Sequence, residues 1–144
     1  MEKEGRKRVV FLCTGNSARS QMAEGLMRHL RSNEFEVSSA GTEPKGIHPL
    51  AIEVMAEIGI DISAQRSKHL DEYGAEEFNY IVTLCYHAAK TCPFFPGKGE
   101  RIHQSFPDPA AAEGSREEKL EMFRRVRDEL KECILSFPDN RKIN

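Results

Sequence analysis

Cys13 and Arg19 are separated by Thr14-Gly15-Asn16-Ser17-Ala18, and Ser20 follows at once. The stretch Val9-Val10-Phe11-Leu12 in front of them is apolar, and a helical pattern begins behind them. This spacing suits a loop that wraps backbone N–H groups around a tetrahedral oxyanion. Gly15 brings backbone freedom, and Asn16 tolerates the left-handed region. Successive N–H groups in such a turn form an anion nest, and a helix N-terminus adds partial positive charge. Arg19 can grip two oxygens with its planar fork. Thr14 to Ser20 are therefore the expected oxyanion-binding residues. Cys13 sits beneath the anion in a field that favours its thiolate, the nucleophilic form. Ser20 is placed to donate a hydrogen bond to the sulfur. The bland alternative is a buried strand-end cysteine beside a surface arginine. A nucleotide-binding loop does not fit, because no G-x-x-x-x-G-K-[ST] occurs.

Elements must hold this loop in place. The pattern predicts a strand over 8–12 and a helix over 19–32, with Met22, Leu26 and Leu30 facing inward. A second strand runs from Phe35 to Ala40 and ends at Gly41. After a loop over 44–48, Pro49 suits a first helical position, and that helix ends at Gly59. Ser67 is a cap for a short helix near 68–73. Asn79 to Leu84 reads as a third strand that stops at Cys85. The segment to Gly99, with Pro93, Pro96 and Gly97, is irregular. Arg101 to Ser105 reads as a fourth strand, and Pro107 and Pro109 force a loop around Asp108. Ser115 and Glu118 fit a capping box that opens a long helix to Phe137. Cys133 reads as a packing residue on that helix, and Arg124, Arg125 and Arg127 as a solvated face.

Alternating strands and helices predict an α/β fold. It is a single three-layer domain over 1–144, with a loose N-terminus at 1–7 and a four-stranded parallel sheet flanked by helices. In such sheets ligands bind beyond the carboxyl ends of the strands. The phosphate-binding loop follows strand 1, Cys85 follows strand 3 and Asp108 follows strand 4, so all fall on one edge.

The chain has 144 residues, a net charge of −2 and four cysteines, at 13, 85, 92 and 133. The charge gives no case for nucleic acid or an anionic membrane surface. No apolar run approaches the ~18 residues of a membrane span. The expected compartment is cytoplasmic, where cysteines are more often catalytic, redox-active or metal-binding than structural bridges.

The stretch Val-Val-Phe-Leu-Cys-Thr-Gly-Asn-Ser-Ala-Arg-Ser-Gln-Met-Ala-Glu-Gly resembles the low-molecular-weight protein tyrosine phosphatase superfamily. Val-Thr-Leu-Cys85, Cys92-Pro93 and Phe-Pro-Asp108-Pro109-Ala are similar to its thioredoxin-coupled arsenate reductases. The likeness runs from residue 8 to about 137. It implies a relay without cofactor and without a catalytic metal. Cys13 attacks arsenate, for which phosphate or sulfate can stand in; Arg19 and the loop hold the oxyanion, and Asp108 is the general acid. Cys85 then attacks Cys13, Cys92 attacks Cys85, and thioredoxin reduces the Cys85–Cys92 disulfide. Two electrons take As(V) to As(III), and a dithiol supplies two by becoming a disulfide. Residues 86–96 are expected to rearrange during turnover. The resemblance also implies a potassium ion behind the loop, held through Asn16, Glu24, Ser39 and an aspartate. This chain has Lys68 at that last position, so Lys68 either pairs with Glu24 in place of the ion or is solvated.

Two other readings remain. A tyrosine phosphatase would use the same loop and Asp108, but Ala110-Ala111-Ala112 replaces the aromatics expected after its Asp-Pro. A zinc site at Cys85, His87, Cys92 and His103 has suitable residue types without a recognised spacing. His29, His48, His69 and His87 have no evident partner in the sequence.

Overall fold

A computed structural model describes residues 5–73, 76–85 and 99–138. Four parallel strands form one sheet: β1 (Lys7–Cys13), β2 (Phe35–Gly41), β3 (Tyr80–Thr83) and β4 (Glu100–His103), in the order β2-β1-β3-β4. The four-stranded parallel α/β sheet read from the sequence is therefore present. β1 lies between β2 and β3, in register Cys13↔Gly41 on one side and Leu12↔Thr83 on the other. Buried on both faces, it is a continuous apolar run. The β3–β4 ladder continues past the last strand residue through Gln104 N–H to Thr83 and Phe106 N–H to Leu84. That carries the chain directly towards Asp108.

Alternation along β1 sends Val9 and Phe11 to one face and Val10 and Leu12 to the other. The first face packs against three helices, α1 (Arg19–Leu30), α2 (Pro49–Ala56) and α3 (Arg116–Ser136). The second is covered by Leu70, Tyr73 and Phe78, with Cys13 and Cys85 in the same cluster. Met22, Leu26, Val126 and Leu130 are among the fully enclosed side chains, each stabilising the fold by about 1.5–3 kcal/mol.

Local signals account for most boundaries. Ser115 Oγ accepts from Glu118 N–H, and Ser115 N–H donates to Glu118 Oε1, which completes the capping box of α3. Gly59, at φ +82°, ends the turn after α2 in a conformation a side chain would strain. α1 stops at Leu30, and Leu30 is exposed rather than part of the inward stripe. The short helix is a 310 turn over Leu70–Tyr73. Its entry is held by His69 Nδ1 accepting from Asp71 N–H, while Ser67 bonds Gly46 N–H instead.

The basic cluster on α3 is not a solvated face. Arg127 is 8% exposed and donates to Val54 O and Glu57, and Arg124 also donates to Glu57. Both arginines clamp α3 to α2. Only Arg125 of the three points largely into solvent. No helix among the described residues is long and apolar enough to cross a membrane.

Candidate oxyanion site

The loop after β1 is rigid because its own side chains saturate it. Asn16 is fully buried at φ 45°. Its Nδ2 donates to Ser20 Oγ at 2.8 Å and to Ser39 Oγ at 3.0 Å. Its Oδ1 accepts from Lys68 N–H at 2.7 Å and Gln21 Nε2 at 3.0 Å. The left-handed angle thus falls on Asn16, not on Gly15, and four groups hold its side chain there, with its own carbonyl bonded to Gln21 as well.

Ser20 Oγ lies 2.8 Å from Cys13 Sγ. Ser20 Oγ also accepts from Asn16 Nδ2, so the hydroxyl that touches the sulfur is itself held in place. α1 starts directly behind. Its N-cap is Ala18, with no side-chain cap and no acid in the first turn. The first amides of α1 therefore keep their donors and their partial positive charge for a ligand.

A segment missed in the sequence completes the loop. Glu43 N–H donates to Thr14 O at 2.8 Å, Lys45 N–H to Gly15 O at 2.9 Å and His48 N–H to Ser17 O at 3.0 Å. In a trans peptide the carbonyl and the following N–H point opposite ways. Tying these carbonyls to the 43–48 strap turns the N–H groups of Gly15, Asn16 and Ala18 into the hollow of the loop. Gly41 makes the close approach possible. A Cβ there would stand 2.5 Å from Thr14 O, 2.8 Å from Asn16 N and 2.9 Å from Cys13 O.

The hollow opens into a cavity of about 460 Å³. Its wall runs from Cys13 and the loop to Arg19, Lys45, His48, Asp108 and Ala110. Arg19 Nη1 donates to Phe106 O at 3.1 Å, and its Nη2 lies 3.8 Å from Asp108 Oδ2. Asp108 Oδ1 accepts from Ala110 N–H at 3.0 Å, capping the 310 turn Pro109–Ala111, so the other oxygen faces the cavity. His48 Nδ1 caps α2 by accepting from Leu50 N–H at 3.1 Å, and the ring packs on Phe123 at 4.8 Å. Burial holds the His48 imidazole below its ordinary pKa, partly opposed by the Asp108 charge and reinforced by Lys119.

Cys85 is buried beside the loop, with its Sγ 3.3 Å from Thr14 Oγ1. Leu84 N–H donates to Leu12 O, which extends the β1–β3 pairing to the cysteines. Their strands are hydrogen-bonded neighbours, so the two cysteines stand at adjacent strand ends. Cys92 and His87 lie outside the described residues, as does all of 86–96. Cys133, on α3, does not line the cavity and donates to Gln104 Oε1 at 3.2 Å.

Behind the loop, Ser39 Oγ passes the network from Asn16 to Glu24 Oε1. Lys68 Nζ is 3.9 Å from the same oxygen and donates to Arg66 O, while Arg28 Nη2 holds Glu24 Oε2 at 2.6 Å. Lys68 is buried, which pulls its pKa down, with the Glu24 charge opposing. An ammonium in this position fills the place of a cation, so these residues do not fit a potassium ion. Among the described residues no group of three or more His, Cys, Asp or Glu is placed to hold a metal. His103 Nδ1 lies 2.8 Å from Thr83 Oγ1.

Residues 8–140 match the family described as low molecular weight phosphotyrosine protein phosphatase. The arsenate reductase of Halalkalibacterium halodurans is 50% identical over 137 residues, spanning 95% of this chain and 99% of that one. A solved arsenate reductase in the phosphate binding state is 35% identical with a TM-score of 0.68, over 90% of this chain and 94% of that one. A thioredoxin-dependent arsenate reductase from Corynebacterium glutamicum is 30% identical with a TM-score of 0.64, over 93% of this chain and 64% of that one.

Proposed function

The chain belongs to the low molecular weight phosphotyrosine protein phosphatase family, and within it we propose that this protein reduces arsenate to arsenite through a relay of Cys13, Cys85 and Cys92. Arsenate enters the loop with its oxygens on the amides of Thr14 to Ser20 and on Arg19. The Cys13 thiolate attacks arsenic and a hydroxyl leaves as water, its proton relayed from solvent by Asp108. Cys85, as thiolate, attacks Cys13 Sγ. The Cys13–arsenic bond breaks, its electron pair stays on arsenic, and arsenite departs while the Cys13–Cys85 disulfide forms. Cys92 then attacks Cys85, freeing Cys13 as a thiolate. Thioredoxin reduces the Cys85–Cys92 disulfide and restores the dithiol.

The observation that carries this reading is the second buried sulfur, Cys85, one strand away from the nucleophile and 3.3 Å from a loop side chain. Phosphoester hydrolysis has no use for it; a two-electron reduction requires it. The 50% identity to an arsenate reductase over nearly the full length points the same way. The test is arsenate-dependent NADPH oxidation with thioredoxin and thioredoxin reductase. Turnover supports the relay; rapid hydrolysis of p-nitrophenyl phosphate without arsenate turnover reverses it.

Slow phosphatase activity is a second reading, favoured by one observation. Arg19, the loop and Asp108 surround a cavity wider than a bare oxyanion needs. Behind the loop, Lys68 supplies to Glu24, Ser39 and Asn16 the positive charge that an inorganic cation would otherwise bring.

A further inference from the structure

The charge in the cavity does not balance without Lys45. Arg19 is already matched by Asp108 at 3.8 Å. In the form that attacks, the thiolate, Cys13 adds a second negative charge under the loop. A doubly charged oxyanion would therefore approach a lining with a net negative charge. His48 adds nothing positive, because its Nδ1 accepts from Leu50 N–H and burial disfavours protonation.

Lys45 stands at the mouth of the same cavity. Its N–H is fixed to Gly15 O at 2.9 Å. Its stem lies over Gly15, with Cδ and Cγ 3.6 and 3.7 Å from where a Cβ of that residue would be. Among the described residues its ammonium has no ion pair, although most of the arginines are paired. The side chain is exposed, so its charge is not costly to hold there.

We propose that Lys45 is a specificity-determining residue that captures doubly charged oxyanions and delivers them to the loop. It restores neutrality to a lining that holds a thiolate and a carboxylate. It acts on entry and binding, because a rim charge alters association and its salt dependence more than the step that follows. The proposal rests on the oxyanion reading of this cavity, not on whether the bound ion is then reduced.

The experiment compares the full chain with Lys45→Met, Lys45→Glu and Lys45→Arg. Inorganic phosphate binding is measured by calorimetry from low salt to about 1 M NaCl, where screening reaches ~3 Å. Arsenate turnover is followed in parallel. Lys45→Met is expected to weaken phosphate binding and raise the arsenate KM about two- to fivefold at low salt, the size of an exposed charge pair, with kcat retained. Lys45→Glu goes further, and Lys45→Arg restores both. The deficit of Lys45→Met grows with pH through the second ionisation of the oxyanion and vanishes in 1 M salt. All variants keep the backbone bond to Gly15, so their melting temperatures should match wild type. Equal phosphate affinity and equal salt slope in wild type and Lys45→Met overturn the proposal. Should wild type bind phosphate in a Lys45-dependent way yet leave arsenate unreduced, the reductase reading falls and the role of Lys45 stands.

Discussion

Arg19 Nη2 and Asp108 Oδ2 face each other across the cavity at 3.8 Å, close enough to attract and too far to hydrogen-bond. Their anchors are separate: Arg19 is fixed to Phe106 O, and Asp108 to Ala110 N–H. An incoming oxyanion therefore competes with a carboxylate for the guanidinium. The same competition brings Asp108 next to the oxygen that must leave.

Asp108→Asn is expected to separate binding from chemistry. Without the competing charge, phosphate binds about two- to fivefold tighter by calorimetry. Arsenate turnover falls about 10²–10⁴-fold, the usual share of general acid catalysis. A variant that lost affinity along with rate would deny Asp108 this position.

The cysteine series orders the relay. Cys13→Ser and Cys85→Ser lose steady-state turnover by at least about a thousandfold. Cys92→Ser releases one equivalent of arsenite per chain and stops, which mass spectrometry of the Cys13–Cys85 disulfide would register. Continued turnover by Cys92→Ser with thioredoxin removes the last step from the scheme.

Gly41→Ala tests the seat of the loop. The added methyl would sit 2.5 Å from Thr14 O and 2.8 Å from Asn16 N. Backbone cannot move aside as a flexible side chain does, so we expect a stability loss of about 1–3 kcal/mol in urea melts. Phosphate affinity should fall by more than that loss explains, since the amides that hold the ion are displaced. Wild-type binding in this variant contradicts the geometry of the strap.

Lys68 is expected to make the protein indifferent to the alkali cation. Melting temperatures in KCl and NaCl of equal strength should coincide. Lys68→Met should cost about 1–3 kcal/mol, because Glu24 loses a partner where it cannot reach water. Stabilisation of wild type by potassium and not by sodium speaks against the substitution.

His48 gives a pH dependence with a fixed sign. Its folded pKa lies below 6.5 because the ring is partly buried. The unfolded chain therefore takes up the proton first as pH falls, so stability present above 6.5 is lost as pH drops through the folded value. Protonation also ends the cap on Leu50, which needs an unprotonated Nδ1. Denaturant midpoints between pH 5 and 7.5 should slope in wild type and flatten in His48→Asn, where an amide can still cap. Asp108→Asn should lower the His48 pKa further in an NMR titration, since it removes the opposing charge.

The β1–loop–α1 unit was legible because its logic is local. Cys13, Asn16, Arg19 and Ser20 lie within one turn of each other, and a strand must precede them. Cys85 and Asp108 were legible one step further on, since parallel strands bring their carboxyl ends to one edge. Gly41, Lys45 and His48 were not: Lys45 and His48 act through backbone bonds to residues about thirty positions earlier, and Gly41 through the close approach of the loop backbone. His48 had no visible partner in sequence, yet it caps a helix and lines the cavity. Arg127 was misplaced for a related reason. A charge on a helix reads as solvated until the neighbouring helix, here through Glu57 and Val54 O, is known to stand opposite it.

Asn16 spends every side-chain polar atom on protein neighbours, so the loop is finished before any guest arrives. A cradle built to one tetrahedral outline cannot tell arsenic from phosphorus by shape. In a cell rich in phosphate, visitors of the wrong element must come and go often. Discrimination then belongs to a later moment, when an atom at the centre either accepts an electron pair from sulfur or leaves unchanged.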